Sequence, residues 1–129
     1  MRIFLTGSQD LEWRWRISDF LREKQIDFFN SADYPREFFS IFKYFKILEG
    51  CDGVIACFSR LEPQHLQTVL EISYASKLAK EIMVIDEAQR KKSWIHCLPY
   101  SVSFPNLDGL KEHLTKAVSS PKKYPQLFG

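Results

Sequence analysis

No stretch of this sequence approaches the roughly 18 apolar residues that a membrane-spanning helix needs, and the apolar start, MRIFLTGS, ends too soon for a secretory leader. Charge of one sign is lacking as well. The formal net charge is +2, Lys and Arg are spread along the chain, and the longest basic cluster, Arg90-Lys91-Lys92, suits a solvated loop, so no nucleic-acid surface is indicated. Three cysteines, Cys51, Cys57 and Cys97, form neither a Cys-x-x-Cys pair nor a Cys/His ligand spacing, which indicates neither a zinc site nor a disulfide framework. Gly-x-Gly-x-x-Gly is missing, which argues against a dinucleotide-dependent oxidoreductase. No acidic pair follows the first apolar run and no Asp closes the third, which argues against a phosphoacceptor receiver. The expectation is a soluble cytoplasmic protein with no metal, no cofactor, and neither a membrane nor a nucleic-acid polymer as partner.

What is present is enough for a core. With 129 residues, 45% of them hydrophobic, the chain fits one domain, over 1–118, with a tail at 119–129. Short apolar runs alternate with helical periodicity. RIFLT is a first strand closed by Gly7-Ser8, and the helix after it keeps Trp13, Ile17, Phe20 and Leu21 on one stripe with Arg14 off it. DFFN (Asp27–Asn30) is a second strand; Pro35 then suits the first turn of a helix whose stripe is Phe38, Ile41, Phe42, Phe45 and Leu48, ending near Gly50. GVIACF and EIMVID are the third and fourth strands, flanking a helix that runs to about Lys80. YSVSF is a weaker fifth strand, and Asn106 to Val118 a last helix. Interleaved strands and helices predict an α/β fold with a parallel sheet covered on both faces.

In such open sheets ligands bind outside the carboxyl ends of the strands. Those ends carry Thr6, Gly7 and Ser8 after the first strand and the Ser59 to Thr68 loop after the third. Glu71 stands just beyond that loop, a carboxylate among Val69, Leu70, Ile72, Tyr74 and Ala75, and is expected in the first turn of its helix. Its apolar neighbours can turn to the core while it faces the crevice; alternatively it is a carboxylate favoured by the helix dipole. Backbone N–H groups of Gly7 and Ser8, the Ser8 hydroxyl and the Arg14 charge suit a phosphate or sugar hydroxyl at a helix amino end, although a Gly-Ser turn with an N-cap needs no ligand. Thr68 has the same two readings, substrate contact or cap. Trp15, off the apolar stripe, suits base stacking or a subunit contact, Phe39 an interface, and Asp52 a turn.

Three segments together, IFLTGS, GCDGVIACFS and QTVLEISYASKLAKEIMVID, resemble the nucleoside 2-deoxyribosyltransferase family, which includes the 2′-deoxynucleoside 5′-phosphate N-hydrolases. The resemblance spans about Arg2 to Asp86, and its most specific part is Thr-x-x-Glu-[Ile/Leu]-x-x-Ala, here Thr68, Glu71, Ile72 and Ala75. It implies a flavodoxin-like five-stranded sheet, a nucleoside or nucleoside 5′-monophosphate substrate, and Glu71 as the nucleophile that attacks the anomeric carbon and expels the base. It also implies a homodimer or larger homo-oligomer whose subunits complete each other's sites. Three substrate-facing positions depart from the family pattern: Gln67 stands where Gly is usual, Tyr44 where many members have a sugar-contacting Asp, and His65 where transferases have an Asp that meets the base. His65 is then the candidate acid or hydrogen-bond donor toward the leaving base. A non-catalytic nucleotide-binding or interaction domain of the same fold is the alternative, and it predicts a narrowed crevice.

Overall fold

The computed structural model describes residues 1–8, 11–33, 41–58, 66–87 and 98–119. In chain order these form β1 (Arg2–Gly7), α1 (Leu11–Glu23), β2 (Asp27–Asn30), a 3-10 turn (Ser31–Asp33), α2 (Ile41–Glu49), β3 (Gly53–Phe58), α3 (Leu66–Lys77), β4 (Glu81–Asp86), β5 (Val102–Phe104) and α4 (Leu107–Ser119). Every strand pair is parallel and the sheet order is β2-β1-β3-β4-β5, a flavodoxin-like α/β sandwich. β3 and β4 are buried at every position, which is why their sequences are continuous apolar runs rather than alternating ones.

Side-chain alternation along the strands divides the interior into two layers. Ile3, Leu5, Ile55, Cys57, Met83 and Ile85 meet α1 and α4 through Trp13, Ile17, Leu21, Leu110 and Leu114. Phe4, Val54, Ala56, Phe58, Ile82 and Val84 meet α2 and α3 through Tyr44, Leu48, Ile72 and Ala75. Burying each large apolar side chain is worth about 1.5 to 3 kcal/mol, so both layers contribute to stability.

Several expected boundaries and faces move. α3 begins at Leu66, five residues before Glu71, so Glu71 lies in the second turn rather than the first. α3 ends at Lys77 rather than near Lys80, because Ala79 adopts a left-handed φ of 58° and the Lys80 N–H returns to the Ala75 carbonyl at 3.0 Å. The buried face of α2 is Tyr44 and Leu48, while Phe42 is 75% exposed; this overturns the stripe that placed Phe42 in the core. The apolar arc of that helix is wide, and Phe42 lies at its edge beside Lys46 and Glu49, on the solvent side. Phe45 lies instead against Tyr74 of α3, ring centroids 4.4 Å apart. Arg14 is 2% exposed, so it joins the buried side of α1 despite lying off the apolar stripe. Asn106 precedes α4 as its cap, its Oδ1 accepting the Gly109 N–H at 2.9 Å. Asp52 is the expected turn residue, its Oδ2 accepting the Arg2 N–H at 2.8 Å. Ser119, expected in the tail, ends α4; Phe38, Phe39, the expected Pro35 turn and the tail from 120 on lie outside the described residues.

Candidate active site

Between β1 and β3 the connections diverge to opposite sides of the sheet, which opens a crevice at the carboxyl ends of these strands. Thr6, at that end of β1, points to the α2–α3 side because Phe4 does and alternate residues share a face. Its hydroxyl meets Glu71 of α3: Thr6 Oγ1 donates to Glu71 Oε1 at 2.8 Å. Thr68 lies one helical turn before Glu71, and its Oγ1 is 3.0 Å from Thr6 Oγ1. A hydroxyl has a single hydrogen, and that of Thr6 goes to the carboxylate, so Thr68 is the donor of this second bond. The result is a directed chain from Thr68 through Thr6 to Glu71. All three residues are buried, and Glu71 is only 1% exposed. A carboxylate in such surroundings is costly unless it is hydrogen-bonded; Thr6, 65 positions away in sequence, supplies a bond, with Thr68 bonded behind Thr6.

Next to this cluster the β1 turn is tightly built. Gly7 has φ +113°, and a Cβ there would lie 2.2 Å from the backbone oxygen of Cys57, so glycine is required by the close approach of β3. The Ser8 N–H donates to that same Cys57 carbonyl at 2.8 Å. On the other side Arg14 reaches up from α1. Its Nε donates to the Ser8 carbonyl at 3.0 Å, Nη2 to the Gly7 carbonyl at 3.1 Å, and Nη1 to Asn30 Oδ1 at 2.7 Å and Ser31 Oγ at 3.1 Å. The indole N–H of Trp13 also donates to the Ser8 carbonyl at 3.0 Å. Arg14 thus clamps the β1 turn to the end of β2. This geometry gives Gly7 and Arg14 structural work, where the sequence suggested contact with phosphate.

The other expected site residues divide. Thr6, Thr68 and Glu71 come together, with Gly7 and Ser8 on the adjoining turn. Tyr44 does not join them: it is buried in the α2 layer, its ring edge-on to Phe4 and Phe29 at centroid distances of 6.4 and 6.1 Å. Gln67 is half-buried in the first turn of α3. His65 lies outside the described residues. Asn30 and Ser31 enter the neighbourhood as partners of Arg14, 16 and 17 positions away, and no spacing motif in the sequence marks them.

Two of the titration shifts lie away from the crevice. Burial pushes the Cys51 thiol, before the amino end of β3, up to about 11. Burial lowers His113 of α4, opposed by the nearby Glu81 carboxylate at the amino end of β4 and reinforced by Lys116. Cys51 and Cys57 carry reduced thiols. Among the described residues no group of three or more His, Cys, Asp or Glu is placed to hold a metal ion, and no helix is long and apolar enough to cross a membrane.

No protein-family model matches the sequence, and no curated protein does. Among solved structures, the chain is similar to the CMP N-glycosidase BcmB of Clostridium botulinum, with a TM-score of 0.60 and 22% identity over 89% of this chain and 99% of that one. At this identity the likeness establishes a shared fold, and the chain has the α/β architecture of that N-glycosidase nearly end to end.

Proposed function

We propose that the chain is an N-glycosidase acting on a nucleoside or nucleoside 5′-monophosphate, with Glu71 as the nucleophile. One observation carries this reading: a buried carboxylate held at the β1–β3 switch point by a two-hydroxyl chain from Thr68 and Thr6. Such a chain fixes one carboxylate oxygen and orients the group, which nucleophilic catalysis requires. The ionised carboxylate attacks C1′ through an oxocarbenium-like transition state, and the C1′–N bond breaks with its electron pair leaving on the base. A glycosyl ester on Glu71 results. Water then cleaves that ester in a hydrolase, or a second base takes the sugar in a deoxyribosyltransferase. His65 is the proposed acid or donor toward the departing base. The structural likeness to a CMP N-glycosidase supports the same chemistry. Because Arg14 is engaged with backbone carbonyls and the Ser8 N–H with the Cys57 carbonyl, a 5′-phosphate would have to be met by groups other than this guanidinium and this N–H.

A second reading has an observation of its own. Glu71 is 1% exposed, and a nucleophile must be reachable, so this burial favours a non-catalytic nucleotide-binding or interaction domain of the same fold. Incubation with a panel of nucleosides and 5′-monophosphates, followed by chromatography for free base, separates the two. Release of base from at least one member supports the glycosidase; saturable binding with no release from any would transfer the case to the binding domain. We further propose a cytoplasmic homo-oligomer that covers the exposed Phe42 and Leu66 of α2 and α3, to be checked by solution mass at high concentration.

A further inference from the structure

Outside the crevice, a groove of about 640 Å³ runs between the outer side of α1 and the end of β2, lined by Glu12, Arg14, Trp15, Arg22, Asn30 and Asp33 among others. Its size falls within the range of small-molecule sites. We propose that this groove is a second nucleoside site, which stacks a base on Trp15 and takes a sugar hydroxyl on Asp33.

Three features of the groove point to that ligand. The Trp15 indole is 68% exposed on its rim, and a flat aromatic face offered to solvent beside polar side chains suits a planar heterocycle. Asn30 and Asp33 stand at and just past the carboxyl end of β2, the place where doubly wound sheets present polar groups to ribose hydroxyls. Asp33 receives from its neighbour only a long 3.5 Å bond, from Asn30 Nδ2, so its carboxylate can accept a hydroxyl without losing a strong contact. The charges of the lining decide between a nucleoside and a nucleotide. Glu12 and Asp33 offset Arg14 and Arg22; Glu12 is also paired with Arg16 at 2.9 Å, Arg22 with Asp19 at 3.2 Å, and Arg14 with the Gly7 and Ser8 carbonyls. The lining therefore exerts no net pull on a phosphate, and an uncharged nucleoside fits better. Arg14 lines the groove and also holds the β1 turn, so the groove adjoins the Thr6–Thr68–Glu71 cluster without including those three residues. The proposal does not depend on Glu71 being a nucleophile.

Cytidine is the probe, titrated calorimetrically into Glu71→Gln protein so that no cleavage can intervene. Adding Trp15→Ala should weaken a saturable cytidine event by about tenfold or more, the size expected for loss of one base–aromatic stack. Adding Asp33→Ala instead should weaken cytidine while leaving free cytosine unchanged. The lone Trp15→Ala protein should release base at the parent rate. The proposal is overturned if Trp15→Ala leaves every cytidine event unchanged, or if it changes the sedimenting mass with cytidine affinity intact, which would make Trp15 a subunit contact. Failure of the glycosidase reading shows separately, as absence of free base from the parent protein, and leaves the groove affinity to be judged on its own.

Discussion

Replacing Glu71 by Gln changes one charge and almost no volume, which makes it the sharpest probe of this molecule. The Thr6 hydroxyl can still donate to the amide oxygen, so the bond at 2.8 Å persists in weaker form. A hydrogen bond to a charged acceptor is worth about 1.5 to 3 kcal/mol and a neutral one about 0.5 to 1.5, so the exchange costs about 1 kcal/mol. The new amide N–H group, if left without an acceptor, costs a further 1 kcal/mol or so. Against these stands relief from burying a carboxylate that is 1% exposed, a penalty of several kcal/mol before its hydrogen bonds are counted. The balance lies between no change and a gain of about 2 kcal/mol. Activity should respond differently: without the anion there is no nucleophile for C1′, and base release should fall at least a thousandfold, by analogy with loss of other catalytic nucleophiles. A helix-dipole role predicts the reverse, a loss of about 0.3 to 1 kcal/mol and unaltered activity, and Glu71's position in the second turn already weakens that account. Urea unfolding and chromatographic assay of free base on the same preparations provide both readouts. Base release at the parent rate, or a lower unfolding midpoint with ligand binding intact, would refute the nucleophile assignment.

Arg14→Ala should destabilise the fold by about 3 to 5 kcal/mol in urea unfolding, because the buried Gly7 and Ser8 carbonyls each lose a charged donor, the Ser8 one keeping the Trp13 indole, and it should weaken nucleosides and monophosphates alike. A loss confined to monophosphates in binding titrations would restore a phosphate role. Gly7→Ala should cost about 3 kcal/mol or more, from left-handed strain together with the 2.2 Å clash with Cys57, measured as a shift in the chemical unfolding midpoint. The His113 pKa is lowered in the fold from its ordinary 6.5, so the unfolded chain binds the proton more readily. Stability is then fully present above about 6.5 and declines as pH falls through the folded pKa; His113→Gln should flatten that slope in unfolding curves taken across this range.

The central strands were legible in the sequence because a parallel sheet covered on both faces needs unbroken apolar segments, and GVIACF and EIMVID form strands with the predicted bounds, as does the edge strand DFFN. The position of Glu71 beyond the third strand was legible too, since connectivity alone places that loop at the carboxyl edge of the sheet. What the sequence could not contain was which distant groups meet. Thr6 and Glu71 are 65 positions apart, and only the β1–β3 pairing with α3 laid across it brings them to 2.8 Å. Arg14 falls off the apolar stripe, and reads as a charge for a phosphate, because periodicity ranks residues by polarity. Its burial follows from carbonyls that the β1 turn and the end of β2 direct at one point. Tyr44 and Phe42 exchanged their expected places for a related reason. The apolar arc of α2 opposite Lys43, Lys46 and Glu49 is wide, so the pattern left open which of its residues turn fully inward, and contact with Phe4 and Phe29 put Tyr44 there. Local sequence thus determined the elements and their order, since these depend on hydrogen bonding and hydrophobic periodicity within short segments. Tertiary structure decided the site, because hydrogen-bond partners and buried charges are settled by distances across the chain that no local pattern encodes.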